Sequence, residues 1–297
     1  MHTESKTIVL IHGLWMTPAS MDLFKRFYEM RGYRVAAPPW PRLQGNVEDI
    51  RRDPSALAGL GVLEIADHYD AIVRSMEKRP ILIGHSFGGL IVQMLLDRGL
   101  GAAGVAIDAT VPKGILMLPW SVIKSAKPVL LNPLNYWRTV MPTFEQFRYA
   151  FANTMTEAVA HAVYDRQVIP GPGRPIFQAA LANFIPRSAT TVNRLNYTRA
   201  PLLLISATCD NLVPAVLNEA NYEKYAHSTA TTEYRAFVDR SHLIIAEDGW
   251  QEVAEYAMNW VRRRLEASHF RTWQDDARVA ELSASHYRSM ATVRAIV

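Results

Sequence analysis

Six short strand-like runs, four of them built largely from Val, Ile, Leu and Ala, separated by stretches with helical periodicity, constrain this chain more than any other feature. The runs lie at 6–11, 33–37, 81–83, 105–108, 202–206 and 232–237. Most are continuously apolar rather than alternating, as strands covered on both faces are. The intervals between them repeat every three to four residues. Thr17 and Pro18 read as an N-cap and first helical residue, followed by Met21, Phe24 and Phe27 at helical spacing until Gly32. Val62, Ile65, Ala66, Tyr69 and Ile72 mark one face of a helix over 62–76. Further helices are expected over 88–97, from about Pro214, and over 250–265. Strands alternating with helices, joined by right-handed crossovers, give an α/β fold with a doubly wound, mostly parallel sheet of about six strands.

The alternation fails once. Between 111 and 195 lie nine of the 17 prolines and several short aromatic-bearing runs, the pattern of an inserted helical cap. The expected organisation is therefore one core domain, 1–110 with 196–265, carrying a lid over 111–195. A C-terminal extension, 266–297, has weak helical periodicity and reads as an added helix or a partly ordered tail. There is no internal repeat or low-complexity tract.

Charge and composition remove several classes of function. The most apolar stretch, 81–96, is broken by His85, Ser86, glycines and Gln93, and falls short of the roughly 20 apolar residues a bilayer crossing needs. The opening MHTESKTIVLI has one basic residue and no small-residue cleavage site, so it does not read as a secretory signal. The single cysteine, Cys209, forbids an intrachain disulfide and fits a reducing compartment; a cytoplasmic protein is expected. A net charge of +4 with scattered Lys and Arg makes nucleic acid an unfavoured partner. The one dense cluster, Arg262 to Arg264, ends a helical run, where cations suit the helix dipole. Oligomeric state is not written in the sequence.

The chemistry concentrates in IGHSFGGL, where a strand-like run becomes a helix-like one. A very tight strand-to-helix turn pushes the Ser86 hydroxyl over the sheet edge and brings backbones too close for side chains, hence Gly84 and Gly88 on either side. The helix start that follows offers backbone N–H groups to developing negative charge. A serine hydroxyl needs a base and a group to orient that base. His242, in VDRSHLII just past the last strand, sits at the same sheet edge; His12 precedes Gly13 and more naturally shapes that turn. His85, His68, His161 and His227 lack such context. Two carboxylates follow strands and compete for the orienting role, Asp210 in SATCDNLVP and Asp108 in VAIDAT, with Asp210 favoured. Asp239 is too near His242 in sequence. Cys209 has no glycine-framed turn, and Asp210 beside it disfavours a thiolate.

These motifs resemble those of the α/β-hydrolase superfamily, whose chain order is serine, acid, histidine. Ser86, Asp210 and His242 follow that order, GHSFGG resembles the nucleophile elbow, and IHGLW the His-Gly loop; the similarity spans about 6–265. The resemblance implies an oxyanion hole made by the N–H of Phe87 with that of Leu14 or, alternatively, Trp15. It also implies that a chain starting at the family's third strand has a sheet trimmed to six. Serine rather than aspartate at 86 argues against an alkyl-enzyme intermediate of the dehalogenase type.

The expected activity is that of a serine esterase, cleaving a small or medium hydrophobic carboxylic ester or lactone through an acyl-enzyme. Trp15, Phe87, Trp120 and Trp137 are candidates to wall the substrate pocket, as are Phe144, Phe147 and Phe151; equally, they are candidates for the cap's own core. No metal or organic cofactor is required, and no His/Cys/Asp group shows ligand spacing. A lyase, perhydrolase or C–C hydrolase would use the same residues, and a noncatalytic ligand receptor could retain them.

Overall fold

A computed structural model describes residues 6–267 of the chain. Six strands form one parallel sheet: β1 (Thr7–Ile11), β2 (Arg34–Ala36), β3 (Ile81–His85), β4 (Ala103–Ile107), and, beyond the cap, β7 (Leu202–Ala207) and β8 (Thr232–Phe237). Their order is β2-β1-β3-β4-β7-β8. The helices of the first half are α1 (Asp22–Glu29), α2 (Val47–Arg52), α3 (Val62–Arg74) and α4 (Phe87–Asp97). Between β4 and β7 come α5 (Trp120–Leu130), α6 (Phe144–Phe151), α7 (Glu157–Gln167) and α8 (Arg174–Ala180), with a two-stranded antiparallel link of β5 (Thr139–Val140) and β6 (Gly171–Pro172). Then α9 (Ala215–Glu223) precedes β8, and α10 spans 250–267.

Strand residues sort by parity between two cores, which is why the central runs are apolar throughout. Ile8, Leu10, Ile81, Ile83 and Val105 face α1 and α10, where Phe24, Tyr28 and the fully buried Trp260 fill the layer. Val9, Ile11, Leu82, Leu202 and Leu204 face α3, α4 and the cap. The start of the first helical segment is a 3-10 turn, Pro18–Met21, capped by Thr17 Oγ1 accepting from Ala19 N at 3.3 Å.

The register sets the position of the site. Ile11 pairs with Gly84, His85 with Ile107, Ile107 with Ile205, and Ala207 with Phe237. Every strand runs the same way, so the loops after them emerge along one edge in the order Gly13, Ser86, Asp108, Asp210 and His242. Ligand sites of open parallel sheets lie beyond this carboxyl edge. The sequence expectation for 266–297 concerns residues that, beyond 267, lie outside the described ones. No helix among the described residues is long and apolar enough to cross a membrane.

Candidate active site

Ser86 occupies the turn between β3 and α4 with φ 58° and ψ −121°, a left-handed conformation that costs a non-glycine residue about 1–3 kcal/mol. The surroundings hold it there: Ser86 N donates to Ile107 O at 2.9 Å, and Ser86 O accepts from Gly89 N at 2.9 Å and Thr110 N at 3.0 Å. The glycines answer to close contacts. A Cβ on Gly84 would lie 2.1 Å from Gly88 O, and one on Gly88 would lie 2.0 Å from Ile11 O. Gly13 presses on the serine itself, since a Cβ there would meet Ser86 Cβ at 2.8 Å and Oγ at 3.4 Å.

His242 is fully buried, and its Nδ1 lies 2.6 Å from Asp210 Oδ2. A carboxylate only accepts, so Nδ1 carries the hydrogen and Nε2 presents its lone pair. Asp210 is fixed in turn, Oδ1 accepting from Leu212 N at 2.7 Å and Val213 N at 2.8 Å. Nε2 of His242 is buried without a hydrogen-bond partner, and no hydrogen bond joins it to Ser86 among the described residues. Catalytic hydrogen bonds are often long until substrate tightens them.

The fold and these three loops agree with a family assignment. A family model described as "Alpha/beta hydrolase family" matches residues 8–256. The chain belongs to the alpha/beta hydrolase family. Among solved structures, this hydrolase resembles an extracellular alpha/beta-hydrolase from a Paenibacillus species, itself described as homologous to tobacco salicylic acid binding protein 2. Identity is 20%, covering 85% of this chain and 98% of that one, with a TM-score of 0.62. A Paleococcus ferrophilus monoacylglycerol lipase is 20% identical over 86% of this chain and 93% of its own, TM-score 0.60. A pyrethroid hydrolase from Sphingobium faniae is 18% identical over 88% and 98%, TM-score 0.60. Likenesses at this identity speak to the fold. No curated protein matches the hydrolase.

Asp108, the rival carboxylate, is engaged elsewhere. It follows β4 directly with φ 42°, and its Oδ1 accepts from Ala207 N at 2.7 Å while Oδ2 is buried and unpaired. Burial pushes its carboxyl well above the usual carboxylate range, and the charge of Asp210 adds to the effect. His12 bonds Gly13 O through Nδ1 at 2.9 Å and accepts from Trp40 N at 3.2 Å; burial lowers it to about 4, so it stays neutral.

Two residues that sequence reasoning passed over hold the His242 loop. His85 Nε2 donates to His242 O at 2.7 Å, and burial, followed by the neighbouring His242, keeps its pKa well below the ordinary imidazole value. Glu247 accepts from Ser241 N at 2.9 Å and from Ser241 Oγ at 3.0 Å, and reaches the cap through Thr154 Oγ1 at 2.5 Å. The signal for His85 was its place in the G-H-S turn, one residue from the serine; Glu247 gives none, because the turn that brings it to Ser241 and Thr154 has no sequence motif.

His85, Asp108 and His242 each bring a ligand-capable atom within 4.8 Å of the others. Linear spacing could not reveal that grouping, since the three come from different strand ends. A cation held by the three would occupy a lone pair of the His242 imidazole.

A cavity of about 560 Å³ opens above Ser86. Leu14, Trp15 and Phe87 form its floor, and Ile123, Leu130 and Ile176 of the cap its walls; among the described residues Lys127 is the only charged one lining it. Of the aromatic candidates, Trp15 and Phe87 line this cavity, and the rest do not. Phe147 and Phe144 pack inside the cap against Phe151, His161 and Tyr164. Phe151 packs edge-on against His242 at 4.9 Å. Trp120 is 74% exposed because the inward face of α5 is made by Val122, Ala126 and Val129, and Trp137, at the end of the 3-10 turn Pro133–Trp137, is 64% exposed.

Proposed function

We propose that the chain is a serine hydrolase cleaving small or medium hydrophobic carboxylic esters or lactones through an acyl-enzyme. One observation carries the reading: a buried imidazole whose Nδ1 is committed to Asp210 at 2.6 Å and whose Nε2 is bare, at the sheet edge it shares with a strained Ser86. His242 Nε2 takes the Ser86 proton as Oγ attacks the carbonyl carbon. Asp210 holds the tautomer and steadies the imidazolium. The tetrahedral oxyanion is received by Phe87 N–H, which opens α4 and so has no intrahelical acceptor, together with the N–H of Leu14 or Trp15. Such donors contribute on the order of 10²–10³ each in turnover. Collapse expels the alkoxide, which leaves as alcohol with the His242 proton; water, deprotonated by His242, then releases the acid and restores Ser86. In a lactone the leaving alcohol stays on the acyl chain, and water cleaves the Ser86 ester to release a single hydroxy acid.

The apolar cavity supports a hydrophobic substrate, its 560 Å³ being of the size that encloses a medium acyl group with its alcohol. The lone thiol of Cys209 suits a reducing, cytoplasmic compartment. A panel of p-nitrophenyl esters of graded acyl length tests the reading. Wild type should turn over medium chains best, and Ser86→Ala should lose on the order of 10⁶ in kcat; equal rates for the two proteins remove the assignment. Product analysis with peroxide and cyanohydrins added separates hydrolysis from perhydrolase and lyase chemistry.

A further inference from the structure

The mouth of the cavity differs from an ordinary soluble surface. Leu116, Leu118 and Phe184 line the cavity yet are 84%, 66% and 82% exposed. Two stitches make them one rim. Asn183 Oδ1 accepts from Gly114 N and its Nδ2 donates to Ile115 O, both at 2.7 Å. Lys113 Nζ donates to Ile185 O at 2.6 Å and Pro186 O at 3.0 Å. α5 extends the rim: its exposed residues Trp120, Ile123, Lys124 and Lys127 fall at helical spacing, with Leu131 one turn beyond.

The charge of the rim is of one sign. No Asp or Glu occurs between Asp108 and Glu145, or between Asp165 and Asp210, and these two segments supply every rim residue named. Lys113, Lys124, Lys127 and Arg138 stand in the first, Arg187 in the second. Exposed leucines and aromatics gathered around an opening mark an interaction site. A tryptophan at the edge of an apolar patch, with lysine stems along it and ammonium groups beyond, matches the layering of a bilayer surface. Anionic headgroups complement the cations at roughly fivefold in affinity per basic residue close to the surface. The cavity opens within the same rim.

We propose that the cap docks on an anionic phospholipid surface through this rim, so that apolar substrate passes from the bilayer into the cavity without crossing water. The substrate route rests on the hydrolase reading, whereas the docking goes beyond it and is measured with protein lacking the Ser86 hydroxyl. Full-length Ser86→Ala protein is sedimented with vesicles of phosphatidylcholine alone and of phosphatidylcholine mixed with phosphatidylserine, at low and high salt. It should partition at least about tenfold more strongly to the mixed vesicles at low salt, with high salt removing the difference. Adding Trp120→Ser or Lys127→Ser should weaken binding roughly fivefold, while the melting temperature stays that of the parent. Absence of binding to the mixed vesicles, or a Trp120→Ser protein that binds as tightly as its parent, overturns the proposal. A dimer in vesicle-free buffer that Trp120→Ser dissociates would also overturn it, by giving the rim to a second copy.

Discussion

At the residue scale, two carboxylates behind His242 have divided their work. Asp210 spends both oxygens on holding and being held, with backbone donors on one and the imidazole on the other. Asp108 is buried with one oxygen unpaired and its pKa raised by burial. The sign of the linkage follows. As pH climbs above the ordinary carboxylate range the unfolded chain gives up the Asp108 proton while the folded chain keeps it, so this group lowers stability until its folded pKa is passed. Asp108→Asn keeps the acceptor for Ala207 N and tolerates the positive φ. The variant should melt above wild type at pH 8, the gain shrinking as pH falls towards 4, with ester turnover within a few-fold; a lower melting temperature across that range contradicts this assignment. Sequence alone left the two acids in competition because both end strands, and only the rotation of side chains in a fully buried space distinguishes them.

At the scale of elements, α4 packs so closely on β1 that its first turn excludes a side chain. Gly88→Ala would put a methyl carbon 2.0 Å from Ile11 O, a backbone atom that cannot step aside. Soluble, cooperatively melting protein should be lost or its melting temperature should drop steeply; near-wild-type melting would show that α4 can move. The sheet was legible because its central strands are apolar on both faces and lie between helical intervals; the edge strands β2 and β8, which carry Arg34, Glu233 and Arg235, were placed by the alternation. α2 was not: it is six residues long, buries only Ile50, and begins at the Asn46 cap inside a proline-rich loop. The cap aromatics were equally unreadable. Phe147 and Trp120 have the same kind of sequence setting, and the direction their helices face decides which is buried.

At the scale of the molecule, the segment inserted between β4 and β7 is bonded to the loops beneath it. Trp15 Nε1 donates to Val140 O and Ile169 N to Trp15 O, both at 2.9 Å, tying the His-Gly loop to the β5–β6 link. Leu243 N donates to Phe151 O at 3.0 Å, and Glu247 joins Ser241 to Thr154. Cap position and imidazole position are thus set by shared bonds, long-range in sequence and invisible to local pattern. Ser86, Asp210 and His242 were marked in the chain by their places after strands; the bonds that set the imidazole were not. Whether the three groups act together is tested most directly by treating the folded protein with a fluorophosphonate and mapping the adduct by peptide mass spectrometry. The account predicts a single phosphonyl group on Ser86, formed quickly in wild type and at least about 10³-fold more slowly in His242→Ala. An unlabelled Ser86 in folded wild-type protein, or equal labelling rates in the two proteins, would contradict it.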